Sequence, residues 1–190
     1  MIASIWIAYV ALIGVTLTAA VTDLRTGLVP NRLTVPAVLG ALMFWPIAGL
    51  IVGEPYTAWG LGKLALTGML SGLVPYAILV LTAGLGGGDM KLMAAVGAIS
   101  ASWEVVLSTT VYALIVALGM AVVVMVRRGV VKQTLARVFS AALLASHRVK
   151  AEFPKDGPTV AFAAAVAVGA ALAGAEQMLG LETPWRSFGP

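Results

Sequence analysis

The sequence predicts an all-α membrane protein, a polytopic bundle of six transmembrane helices with a short fourth helix. The first observation is composition: 61% of the 190 residues are hydrophobic and only 11% are charged, whereas soluble domains carry about 25% charged residues. The second is the length of the apolar stretches, and the third is the placement of basic residues between them. We interpret residues 1–190 as a single membrane-embedded domain.

Five apolar stretches approach or exceed the roughly 20 residues that a helix needs to cross a bilayer. They are Ile2–Val21, Leu33–Val52, Trp59–Ala83, Trp103–Val126 and Thr159–Leu179. The first has no basic segment before it and no small-residue cleavage site, which indicates a retained helix rather than a signal peptide. A sixth stretch, Met90–Ser102, has about 13 residues and is short for a span.

Charge placement decides whether the short stretch crosses. Most basic residues fall in the loop 127–157, and Arg25 and Arg32 fall in an earlier loop. The positive-inside rule puts both loops in the cytoplasm. These loops can share one side only if Met90–Ser102 also crosses. The prediction is therefore six spans with both termini extracytoplasmic, the short one packed in the bundle, tilting little, or locally thinning the bilayer.

The loop 127–157 allows two interpretations. Its segment 130–149 has apolar residues at helical spacing with basic residues between them, which suits an amphipathic helix on the anionic inner leaflet. A solvated basic loop that only sets the topology fits equally well. Asp156 lies among Pro154, Gly157 and Pro158, which mark a turn, so it is interpreted as a solvated turn residue.

Composition excludes several kinds of site. The chain has no cysteine and one histidine, so disulfides, thiolate zinc sites and multi-histidine metal sites are excluded, and no metal or cofactor is expected. The net charge of +4 comes from few basic residues that lie between apolar spans. Their placement matches membrane topology, so nucleic-acid binding is not expected.

Two acidic residues, Asp23 and Asp89, lie at predicted cytoplasmic ends of spans beside apolar sequence. Each alone could be structural: a solvated end residue at Asp23 and a helix cap at Asp89. Ionisable groups at membrane depth are nevertheless functional by default, and two carboxylates at one depth on different helices could face each other. Two such carboxylates can share one proton, so that the ionised one acts as a base and the protonated one as an acid.

The residues around the aspartates suggest how a substrate is held. Gly86, Gly87 and Gly88 precede Asp89 and disfavour helix; they allow a peptide backbone to approach, or they form an ordinary turn. Lys91 either contacts substrate or snorkels to headgroups. Pro30 and Asn31 start the second helix, with Asn31 as its N-cap. The tryptophans, Trp45 included, are interpreted mostly as membrane-interface anchors.

These segments resemble a known family. Residues 86–92 read GGGDMKL and fit the GxGDxKL pattern of type IV prepilin peptidases. Residues 23–34, DLRTGLVPNRLT, are similar to that family's first aspartate segment, in which an apolar-Pro-Asn/Asp step follows the aspartate. The resemblance extends roughly over residues 15–169. One departure is the charged stretch Phe153–Pro158, where the family often has Pro-aromatic-Gly-Pro before its last helix.

The resemblance implies an aspartic endopeptidase of the bacterial inner membrane. It would cleave the basic leader of prepilins at the cytoplasmic face, with Asp23 and Asp89 as the catalytic pair. The larger members carry a cysteine zinc site in a methyltransferase region. The chain begins at the first peptidase helix without cysteine, which is typical of the peptidase-only form of Flp (tight-adherence) pilus systems. Prepilin and lipid are the implied partners, and the oligomeric state is left open.

Three other functions compete with leader cleavage. A scaffold of a secretion assembly would have no chemistry and would tolerate Asp→Asn at both sites. Another GxGD protease would cut within a substrate's membrane span, although residues 23–31 favour prepilins. A proton-coupled carrier would also use intramembrane acids, but it should place them near the bilayer midplane. Asp23 and Asp89 lie instead at the predicted inner edge.

Overall fold

The computed structural model describes residues 2–52, 55–83, 86–132 and 161–181, and over these residues the chain is helical without any strand. The helices are α1 (Ile2–Thr26), α2 (Asn31–Val52), α3 (Pro55–Ala83), α4 (Gly87–Ser100), α5 (Trp103–Arg127) and α6 (Phe162–Leu179). Five of them, all except α4, are long and apolar enough to cross a membrane. The structure thus confirms an all-α polytopic bundle. The sidedness of the termini stays a prediction.

Helix boundaries differ from the predicted spans mainly at the polar ends. The helix α1 continues to Thr26, beyond the apolar stretch that ends at Val21. Gly27 follows with φ +67° and donates its N–H to the backbone oxygen of Asp23 at 2.8 Å, a left-handed helix ending that glycine favours. Asp23 therefore lies in the last turns of α1 rather than after the helix.

Backbone contacts divide the chain into two compact units, Met1–Leu114 with Ala161–Pro190, and Ile115–Val160. The described part of the second unit is the second half of α5 and the turn after it, where Gly129 adopts φ +66°. The predicted amphipathic segment lies outside the described residues except for residues 130–132, and Asp156 also lies outside them. The interpretation of residues 1–190 as one domain stays a prediction.

The short helix α4 lies among α1, α2, α3 and α6 in the first unit. Every residue from Leu92 to Ile99 is buried, as expected for a short helix packed inside a bundle. It pairs with α3 at very close range: Gly72 lies against the backbone of Met93, and Gly68 against Gly97, without room for a Cβ atom at any of the three glycines. These contacts run antiparallel, and Gly68 and Gly72 form the small-xxx-small pattern of close membrane helix pairs.

A tryptophan side chain supplies a hydrogen-bond donor to a carbonyl group at the C-terminal end of α4. The indole Nε1 of Trp45 donates a hydrogen bond to the carbonyl oxygen of Ile99 at 3.1 Å, and the side chain is only 6% exposed. The interpretation of Trp45 as an interface anchor was therefore wrong. The last carbonyls of a helix lack intrahelical partners, and a 14-residue helix of about 21 Å is shorter than a hydrocarbon core of about 30 Å. A helix end within the bilayer needs a partner from the protein, because lipid offers none.

The last helix, α6, packs antiparallel on α1. The hydroxyl of Tyr9 donates to the carbonyl oxygen of Ala171 at 2.9 Å, and the Tyr9 ring lies against Gly174. Gly169 approaches the backbone of α5 so closely that a Cβ would lie 2.6 Å from the oxygen of Thr109. These contacts bring the N-terminal end of α6 beside the C-terminal end of α1.

Candidate active site

Both aspartates lie at one end of the first unit. The C-terminal end of α1 and the N-terminal ends of α2, α4 and α6 meet there, as three contacts show. The Oδ2 atom of Asp23 lies 3.1 Å from the backbone N of Ala163. The Nζ atom of Lys91 lies 2.7 Å from Oδ1 of Asn31. Gly88 packs against Val29, in the connection between α1 and α2.

Asp23 lies on α1, but its carboxylate is bound by the N-terminal end of α6. Its carboxylate, half-buried, accepts the N–H of Ala163 in the first turn of α6. The N-cap position of α6 is Ala161, which offers no side-chain acceptor. Asp23 therefore supplies from α1 the oxygen that a capping side chain would supply, and the N-terminal dipole of α6 favours a negative charge there.

Asp89 occupies the first turn of α4. Gly86 is the N-cap residue, and its carbonyl oxygen accepts the N–H of Asp89 at 3.1 Å. The structure thus corrects the interpretation of Asp89 as a helix cap, because the cap position belongs to Gly86. The side chain is half-buried, and it lies close enough to Asp23 for the two carboxyl groups to interact electrostatically.

The three glycines before Asp89 have different surroundings. Gly86 is extended, with φ −63° and ψ 128°, whereas Gly87 and Gly88 already belong to α4. The prediction that the whole run is non-helical was therefore wrong for two of the three. A Cβ at Gly88 would lie 3.1 Å from the Cβ of Val29, while a Cβ at Gly87 would meet nothing within 4 Å. The open backbone is therefore at Gly86 and Gly87, both of which are exposed.

The remaining predicted site residues connect α2 to α4. The carbonyl oxygen of Pro30 accepts the N–H groups of Leu33 and Thr34, so Pro30 holds the N-cap position and Asn31 is the first helical residue. The prediction of Asn31 as N-cap was wrong, since its side chain binds Lys91 instead. Lys91 in turn contacts α2 in this structure, and its bond fixes the start of α2 beside the first turn of α4.

An aromatic pair at the same end was not predicted. Tyr76 on α3 is 5% exposed and its hydroxyl lies 3.4 Å from Oγ1 of Thr110. Its ring centroid is 6.3 Å from that of Phe162, the first residue of α6. Tyr76 also lies near enough to Asp89 to interact with it electrostatically. The only sequence signal was a tyrosine within a largely apolar helix, which does not reveal its neighbour.

The chemistry that these side chains offer is acid–base chemistry. Among the described residues, no three His, Cys, Asp or Glu side chains cluster as a metal site would require. Two neighbouring carboxylates repel each other when both are ionised, so a close pair of this kind can share one proton. Such a pair can take a proton from water and give one to a leaving group.

Comparison with known proteins identifies a family for this chain. Residues 10–124 match the family model described as the type IV leader peptidase family. No curated protein and no solved structure gives a significant match. The matched segment includes both aspartates and covers more than half of the chain. The chain therefore belongs to the type IV leader peptidase family, a family of proteases, and is a multi-pass membrane protein.

Proposed function

We propose that this chain is an aspartic endopeptidase that removes the basic leader peptide of prepilins, with Flp-type prepilins as its substrates. The observation that carries the proposal is the pair of Asp23 and Asp89, which α1 and α4 bring to one end of the bundle. The family match to leader peptidases includes both residues.

The proposed reaction is hydrolysis by an activated water. The ionised carboxylate removes a proton from water as the water oxygen attacks the scissile carbonyl carbon. The protonated carboxyl then gives its proton to the amide nitrogen, and the C–N bond breaks to a new carboxyl group and a new amine. The pair ends with its proton on the other aspartate, and transfer back restores the starting state.

The open backbone before Asp89 supports a peptide substrate. Gly86 and Gly87 are exposed, and a side-chain atom at Gly87 would meet nothing within 4 Å. An extended leader could therefore approach the start of α4 and hydrogen-bond to its free backbone groups. Because the first N–H groups of a helix lack intrahelical partners, they are available to such a peptide.

Basic residues support a cytoplasmic site in the bacterial inner membrane. Arg25 in the last turn of α1, Arg32 in the first turn of α2, and Lys91 all lie near the aspartate end. By the positive-inside rule this end faces the cytoplasm, where the basic leader of a prepilin also resides before export.

Coexpression with a Flp-type prepilin tests the proposal. Asp23→Asn and Asp89→Asn should each leave the prepilin at its uncleaved length on gels, whereas wild type shortens it. Glu104→Gln is the matched control, because Glu104 lies in the first turn of α5, near Ala101 at the far end of α4 from Asp89. Processing at the wild-type rate by either aspartate variant would refute the two-aspartate mechanism.

The position of the cut separates leader cleavage from intramembrane proteolysis. Mass spectrometry of the product should show one cut between the basic leader and the apolar helix that follows it. A cut within the apolar helix would instead favour a protease of membrane spans.

A further inference from the structure

The helix α6 contributes a backbone group to the aspartate pair, although it lies outside the residues that match the family. Ala163 is fully buried, and its N–H points to Oδ2 of Asp23 at 3.1 Å. Ala163 is the second residue of α6, so its N–H has no partner within the helix. The bond to Asp23 therefore satisfies a buried donor that the helix itself leaves without a partner.

Contacts along the length of α6 fix the position of this N–H. Tyr9 of α1 binds Ala171 and covers Gly174, and Gly169 lies in close contact with the backbone of α5. Sliding α6 along α1 would break the contacts of Tyr9 together with the bond to Asp23. The donor at Ala163 is thus preorganised toward one carboxylate.

This arrangement makes the two aspartates unequal. We infer that the N-terminus of α6 holds Asp23 as the charged member of the pair, the base that activates water, and leaves Asp89 to donate the proton. A hydrogen bond from a fixed N–H favours the ionised form of a carboxylate, and the helix dipole acts in the same direction. This inference rests on the proposed function, and Ala163 acts in it as a positioning residue through its backbone.

The inference assigns the protons of the cleavage step. Water gives its proton to Asp23 while its oxygen bonds to the scissile carbon. Asp89 gives its proton to the amide nitrogen as the C–N bond breaks. The proton on Asp23 then returns to Asp89, so the pair is regenerated with one proton and one negative charge.

Among the described residues of the first unit, the other charged groups at this end come from α1, α2 and α4. They are Arg25, Arg32 and Lys91, and Lys91 is bonded to Asn31. The only acid of α6, Glu176, lies near the helix's C-terminal end, and α3 contributes Tyr76. The substitutions below leave all of these groups in place, so a shift that appears in Ala163→Pro and is absent from Ala163→Val reports on the N–H of Ala163.

The test measures the pH dependence of kcat/KM for leader cleavage by the purified, lipid-reconstituted protein. Ala163→Pro removes the N–H at the second helical position, where no intrahelical hydrogen bond is lost because that N–H has no partner within the helix. Ala163→Val adds a side chain of similar size and keeps the N–H. Ala163→Pro should move the acidic limb of the profile upward by about one pH unit, while Ala163→Val keeps the limb at the wild-type pH.

A second pair of variants covers the case in which Ala163→Pro does not fold. Ala161 has φ −67° and ψ 92°, the conformation of an N-cap residue. Ala161→Thr places a hydroxyl that competes for the free N–H groups of the first turn, and Ala161→Val is its isosteric control. Ala161→Thr should stabilise α6 yet move the acidic limb upward, by less than Ala163→Pro does.

An unmoved acidic limb in folded Ala163→Pro overturns the inference; if that variant does not fold, an unmoved limb in Ala161→Thr does so. A purely structural role for the bond predicts changes in Tm without a change in the limb. The proposed function fails differently, through cleavage that survives Asp23→Asn or Asp89→Asn, so the two failures can be told apart.

Discussion

The two parts of α4 are packed in opposite ways. From Leu92 to Ile99 every residue is buried, and the glycines Gly72 and Gly97 bring the α3 and α4 backbones into direct contact. At the start of the helix, the N-cap residue Gly86 and the first helical residue Gly87 are exposed, and Asp89 is half-buried. The core fixes the position of α4, while the turn that carries Asp89 stays accessible to a peptide. The proposed site, which has to be both preorganised and open, would use both environments of this helix.

The largest effect is expected where the backbones touch. Gly72→Ala would drive a methyl group into the Met93 carbonyl, and overpacking of this kind costs about 1–3 kcal/mol or more. Gly14→Ala is the control, because nothing lies within 4 Å of a Cβ at Gly14. Thermal unfolding in detergent should show a lower Tm for Gly72→Ala alone. Equal Tm values for both variants would show that the core of α4 is not tightly packed.

The tryptophan at the C-terminal end of α4 should have the next largest effect. Trp45→Phe keeps an aromatic ring but leaves the Ile99 oxygen without the indole donor, and an unsatisfied buried acceptor costs about 1–3 kcal/mol. Trp59→Phe is the matched control, since Trp59 is 70% exposed. Comparable unfolding midpoints for the two variants would contradict the role assigned to Trp45.

The helices and the two aspartates could be predicted from the sequence, whereas the contacts of Ala163 and Trp45 could not. The apolar lengths and the basic loops predicted six helices, and the two motifs predicted the pair Asp23 and Asp89. The bond from Ala163 to Asp23 joins positions 140 apart in sequence, and neither alanine nor its neighbours carries a polar signal. Trp45 was misassigned because hydropathy alone cannot distinguish a tryptophan at a lipid interface from one that satisfies a helix end.

At the exposed residue Gly87, we expect a substitution to change activity without lowering stability. Gly87→Ala should leave the unfolding midpoint unchanged or slightly higher, because alanine is the better helix former by about 0.5–1 kcal/mol. Its methyl group should nevertheless raise the KM for leader cleavage by obstructing the approaching peptide. Gly88→Ala, by contrast, should lower the unfolding midpoint, since Val29 must move to accommodate the added methyl group. An unchanged KM in Gly87→Ala would place the peptide elsewhere.

The smallest effect is expected for the bond between Lys91 and Asn31, which is exposed. Lys91→Met and Asn31→Ala should each cost only about 0.5–1 kcal/mol, and the double variant should cost no more than the larger single change. Additive losses in urea or thermal unfolding would show that the two side chains act independently.

The account depends most on Asp23 and Asp89 acting as one unit, which single-turnover cleavage of a prepilin tests directly. Residues that act as a unit give non-additive losses. Asp23→Asn, Asp89→Asn and the double variant should therefore fall to the same residual rate, with unfolding midpoints showing that all three are folded. A substantial rate in either single variant, or a double variant slowed by the product of the two single effects, would contradict a shared catalytic pair.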